Sequence, residues 1–176
     1  MDNKQITLKP QDLVVLLKLA GATSDFQNYA DFAKQLGLTA SQVHASVSRA
    51  RLARLVTGVR GEKPTPVKAA LREFILFGAK YAFPAVFGAA TRGIETSYAA
   101  APLSSIITHS NDLPPVWPDP HGSVRGLAFY PLYPNAIVAA RQDNSLYELL
   151  ALFDALRGGA AREREIAIEL LQKRLL

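Results

Sequence analysis

Between residues 40 and 61 stand Arg49, Arg51, Arg54 and Arg60, with no Asp or Glu among them. A guanidinium donates paired hydrogen bonds to the O6 and N7 edge of guanine or to a phosphate, so such a run can attract and orient a polyanion. The same stretch holds Ser41, Gln42, His44, Ala45 and Ser48, all small or hydrogen-bonding. The major groove takes a helix whose facing side chains allow close approach to the base edges, and serine and alanine do so. On this chemistry Arg49 is the expected guanine contact and Gln42 the expected adenine contact. Ser41, Ser48 and Arg51 are expected on phosphates, with His44 flanking the face and Ala45 leaving room at its centre. Arg60 and Lys63 follow in TGVRGEKPTPV and are expected to reach the backbone or the neighbouring minor groove as positioning contacts. Arg54 lies near the phase of the buried stripe and marks the helix end.

A solvated basic face is the competing interpretation. Such faces usually interleave Glu with Lys for solubility and weak ion pairs. This one has small polar residues beside arginine, which favours contact. The overall charge of +5 is modest, but its distribution is uneven. Residues 1–66 hold nine Lys and Arg against five acids, and residues 67–176 hold eleven against ten.

The elements that must carry these residues are legible in outline. Pro10 and Asp12 suit a first helical turn, and Leu13, Val14, Leu16, Leu17 and Ala20 form an apolar stripe behind them. Ser24, Asp25 and Asn28 are candidate caps for a second helix over 28–37, with Tyr29, Phe32, Ala33 and Leu36 at helical spacing and Gly37 as its stop. Thr39 can cap a third helix, whose buried side is Val43, Val47 and Ala50. Two glycines and two prolines in residues 57–67 then predict a short β-hairpin or loop with a charged tip.

Helix, helix, Gly-containing turn, helix and basic hairpin, with Ala33, Gly37, Val43 and Val47 in step, resembles a winged helix-turn-helix of the MarR-like kind found in bacterial regulators. The resemblance covers roughly residues 8–67. It implies a sequence-specific DNA-binding transcriptional regulator, with residues 40–53 in the major groove of double-stranded DNA. Because one short helix reads few base pairs, a homodimer on paired half-sites is expected.

The expected fold is mainly α with a small β-wing: a winged helix-turn-helix over 1–67, then a region over 68–176 that is irregular and Pro-rich before its closing helices. In that region 67–81 predicts a helix with Leu71, Phe74, Ile75 and Gly78 inward, and residues 82–134 predict irregular backbone with one strand at Val124–Tyr130. LPPVWPDPHG favours extended structure. Ser145 and Glu148 have capping-box spacing for a helix to about Leu156, and a last helix starts near Ala161. Residues 68–176 are expected to supply dimerisation or a partner surface. That leaves a second function open, an antitoxin-like component that neutralises a protein partner and represses its own operon.

Catalysis is not expected. The chain has no cysteine, and His44, His109 and His121 lie in separate segments without HExxH spacing, so neither a metal nor another cofactor is expected. His109, Ser110, Asn111 and Asp112 include triad types, but adjacent residues cannot converge as separately supported ones do. GxSxG, GxxxxGK[ST] and GxGxxG are all absent from the sequence. MDNKQITLKP carries no apolar stretch and no run approaches a membrane span, so a cytoplasmic protein without membrane contact is expected. Trp117, with Phe129, Tyr130 and Tyr133, fills a core or forms a partner surface, and core is the favoured role. Arg92-Gly93 and Arg125-Gly126 brace loops or hold an anion.

Overall fold

A computed structural model describes residues 5–21, 25–59, 61–108 and 113–175. Helix α1 (Pro10–Ala20) begins as expected, with Pro10 in the first turn and Asp12 accepting a 2.8 Å hydrogen bond from the Lys9 amide. Every residue from Asp12 to Leu19 is buried, so α1 is a central helix rather than one with a single stripe. Helix α2 (Tyr29–Gln35) is capped by Asn28, whose Oδ1 accepts from the Asp31 amide.

Both α2 and the next helix, α3 (Ala40–Leu52), end in a Schellman motif. Gly37 takes φ +62° while Leu38 N–H donates to Ala33 and Gly37 N–H to Lys34. The resulting turn is clamped from far along the chain, because Asn135 Nδ2 donates to the Gly37 carbonyl at 2.6 Å. At the end of α3, Leu55 N–H donates to Ala50 and Arg54 N–H to Arg51, with Arg54 at φ +59°. Arg54 therefore marks the helix end, as expected, though it is exposed rather than near the buried stripe. The hairpin follows: β1 (Val56–Thr57) pairs antiparallel with β2 (Thr65–Pro66).

Beyond the hairpin a helical stretch runs through α4 (Lys68–Glu73), a π-helical segment (Phe74–Ala79) and α5 (Lys80–Ala82). The wider turn rotates the expected inward face. Leu71, Ile75, Leu76 and Ala79 are buried, whereas Phe74 and Gly78 are only half-buried.

Residues 82–134 hold more order than their composition predicts. β3 (Phe87–Glu95), β4 (Pro115–Pro118) and β5 (Val124–Phe129) close into a three-stranded sheet. β3 is antiparallel to both neighbours, and β4 and β5 are parallel. The closure requires glycine at two crossings. A Cβ on Gly93 would lie 2.1 Å from the Trp117 carbonyl oxygen, and one on Gly126 would lie 2.0 Å from that of Pro114. The structural role of these two Arg-Gly pairs thus resides in their glycines.

Helix α6 (Ala136–Gln142) was not predicted. Helix α7 (Asn144–Gly158) is capped by Asp143, which accepts from the Leu146 amide at 3.1 Å, in place of the expected Ser145 box. Glu148 instead pairs with Arg174 of α8 (Ala161–Arg174). The result is a mixed α+β molecule in which helix predominates.

One apolar core runs from Leu13, Leu17, Phe32, Val43 and Val47 to Leu149, Phe153 and Leu171. Helix α1 packs on both α3 and α7, and its buried Lys18 reaches Asp143 at 2.6 Å. That core holds residues from both sides of residue 67, with Leu55 and Val56 beside Leu71 and Ile75. Trp117, 1% exposed, belongs to the same core. Its indole N–H donates to buried Asp154 at 2.7 Å, alongside Thr96 Oγ1 at 2.7 Å and Arg157 Nε at 2.8 Å. The favoured role for Trp117 is therefore the one it has.

Candidate nucleic-acid interface

Helix α3 packs on α1 and α2, and its remaining side is exposed to half-buried. Val43, Ser46, Val47 and Ala50 face the core. Ser41 is exposed, and His44, Ala45 and Ser48 are half-buried along the opposite flank. Ser41, Ala45 and Ser48 recur at steps of four and three, so they form one line down the helix. An open recess of about 410 Å³ lies at its start, lined by Tyr29, Ala40, Ser41 and His44. The Tyr29 and His44 rings are tilted together with centroids 5.3 Å apart. Tyr29 was counted among the apolar residues of α2 and so was missed as a member of this surface.

The start of α3 is a reciprocal capping box. Thr39 Oγ1 accepts from the Gln42 amide at 3.2 Å, and Gln42 Oε1 accepts from the Thr39 amide at 2.8 Å. This corrects the expectation for Gln42, because bidentate contact with adenine needs the same oxygen.

Arg49 requires a larger correction. Its Nε donates to Asp12 Oδ2 at 2.7 Å and its Nη2 to Asp12 Oδ1 at 2.6 Å, with a further contact to Ser46 Oγ at 3.3 Å. The Arg49 side chain is 17% exposed and that of Asp12 1%. The hydrogen bonds to Asp12 raise the Arg49 pKa, against the opposing effect of partial burial. A fork already occupied by a carboxylate inside the protein is not free to read guanine. Arg49 is the strut between α1 and α3.

The remaining cations have different surroundings. Arg51 is half-buried, and its Nε and Nη2 meet no hydrogen-bond partner among the described residues. Lys63 is exposed in the β1–β2 loop, where Gly58 and Gly61 adopt φ +96° and +100°. Glu62 sits beside it and accepts from the Val59 amide at 3.3 Å, adding an acid to the tip. Arg60 lies outside the described residues, as do His109, Ser110, Asn111 and Asp112.

Among the described residues no three His, Asp or Glu side chains gather as metal ligands, and no helix is long and apolar enough to cross a membrane. No family model matches the chain, and neither a curated protein nor a solved structure gives a match.

Proposed function

We propose that residues 1–67 act as a winged helix-turn-helix and that the chain is a sequence-specific DNA-binding transcriptional regulator working as a homodimer. The observation that carries this is the outward line of Ser41, Ala45 and Ser48 on α3, a helix otherwise gripped by α1 and α2 and followed by a hairpin. A helix with small residues outward and no acid along its length meets both demands of groove insertion, close approach and absence of repulsion from phosphate.

The roles within this proposal differ from those assigned by residue type. Ser41, Ala45 and Ser48 approach the base edges, with His44 beside them and Tyr29 behind. Arg49 and Gln42 hold the helix in place. Arg51 is assigned to a phosphate and must turn outward to meet it, since Nε and Nη2, which have no acceptor among the described residues, are buried. Lys63 and Arg60 make backbone contacts from the hairpin. Two copies are needed because a single helix spans few base pairs.

Selection of bound duplexes from a random pool tests the proposal. A recurrent site, bound by wild type and lost on Ala45→Glu without change in thermal stability, is the expected result. Emergence of no site, or a site bound equally well by Ala45→Glu, would overturn it.

A further inference from the structure

The sequence sets Arg92-Gly93 and Arg125-Gly126 apart, and the sheet brings them together. Arg92 and Arg125 are directly opposite in the antiparallel β3–β5 ladder, so their side chains leave from the same face of the ribbon. Both are exposed, and among the described residues neither is joined to an acid. Asp119, the acid nearest in the loop, is 7% exposed and already holds Arg141 at 2.6 Å. Like charges directly opposite on a ladder oppose each other, so the isolated fold gains nothing from this pair.

The same face turns apolar one pair further along. Leu127 stands opposite Ala90 on that face, and past a register shift between Ala90 and Phe87 the ladder resumes with Phe87 opposite Phe129. Leu127 is 46% and Phe87 57% exposed, while Phe129 is buried beneath Phe87 in an edge-on contact with centroids 4.9 Å apart. No strand pairs with residues 87–91 of β3 on the side away from β5 among the described residues. A guanidinium pair next to exposed Leu and Phe has the composition of a protein-binding centre, where arginine and aromatic residues concentrate.

We propose that this face of the β3–β5 ribbon docks a protein partner through a segment carrying carboxylates next to aliphatic or aromatic side chains. Carboxylates accept from Arg92 and Arg125 together, relieving their repulsion, while the apolar side chains cover Leu127 and Phe87. Charge selects this occupant over a second copy of the chain, which would bring its own arginine pair against the first. A nucleic-acid strand leaves the Leu127 end without complement. The surface is separate from α3 and does not depend on how α3 is used.

Selection from a random peptide library displayed against the full chain tests this, with binding then measured on synthetic versions of the enriched peptides. Enriched peptides should combine Asp or Glu with Leu, Ile or Phe, bind more weakly as salt rises, and lose about tenfold in affinity on Arg92→Ala with Arg125→Ala or on Leu127→Ala. Circular dichroism checks that each variant is folded, and the salt dependence on wild type stands apart from any variant. Three results would overturn the proposal. The first is no enrichment, or enrichment of peptides without acids. The second is binding indifferent to these substitutions. The third is a different occupant, shown by a random single-stranded oligonucleotide whose binding needs the same arginines, or by a wild-type dimer that Leu127→Asp converts to monomer in sedimentation.

Discussion

Arg49 and Asp12 are joined by two parallel hydrogen bonds, of 2.7 and 2.6 Å, that fasten α3 to α1, a helix buried from Asp12 to Leu19. The helix proposed to enter DNA is thus oriented by the arginine whose type best suited it for reading DNA.

Removing one side of this pair should unfold more than it unbinds. Arg49→Ala leaves a carboxylate that is 1% exposed without its counter-charge, a loss of about 3–5 kcal/mol for breaking a buried pair. Asp12→Ala should cost less, because the Arg49 side chain at 17% exposure can turn toward water. Urea unfolding of both variants gives the order. An Arg49→Ala protein of wild-type stability that had lost its sequence preference would restore the reading role.

The two kinds of contact proposed for α3 and the hairpin should separate by their salt response. Ser48→Glu should weaken the proposed DNA binding strongly at unchanged stability, by carrying an acid into a groove flanked by phosphates. Lys63→Ala should weaken it across all sequences and reduce the slope of log affinity against log salt by about one. Titrations at several salt concentrations on selected and scrambled duplexes distinguish these effects.

The single tryptophan reports on the sheet. Trp117 is 1% exposed and bonded to buried Asp154, so its native fluorescence should resist an aqueous quencher until the chain unfolds. Asp154→Ala leaves the Trp117 indole, Thr96 hydroxyl and Arg157 without their shared acceptor and should cost about 3–5 kcal/mol. Quenching and thermal melts on the two proteins measure both effects.

At alkaline pH the weak point is Tyr147. Burial first, and the charge of Glu95 second, push its phenol from 10.0 up to about 12. A raised folded pKa means stability fully present below pH 10 and lost as pH climbs toward 12. Tyr147→Phe should flatten that loss, while giving up the 2.5 Å hydrogen bond to the Glu95 carbonyl and about 1 kcal/mol at neutral pH. Melting temperatures against pH for both proteins should cross over as the phenol ionises.

Gly93→Ala and Gly126→Ala each place a methyl about 2 Å from a carbonyl oxygen of the neighbouring strand. Backbone cannot rotate away as a side chain can, so both variants should lose the closed sheet. The test is whether native Trp117 shielding disappears at temperatures where wild type keeps it.

What could be read from the chain alone was whatever is decided within a few residues. Asn28, Gly37 and Thr39 end or begin helices through partners three to five positions away, and their types declare it. Arg49 was misjudged because Asp12 lies far back in the chain, and no local pattern joins them. β3 was invisible for a related cause. FGAATRGIE lacks the alternation of a half-buried strand, because its small residues serve a close strand crossing decided by Trp117 and Val124. Arg92 and Arg125 stood out as a repeated dipeptide, but that they face each other follows only from register.

The bond from Asn135 to the Gly37 carbonyl, with α1 enclosed between α3 and α7, makes the first 67 residues dependent on the rest. A fragment ending at Val67 would bare the side of α1 that now meets α7, and its α2–α3 turn would lose its clamp. The chain should accordingly melt in one cooperative transition, and the end proposed to face DNA is built into the common core rather than carried as a detachable cassette.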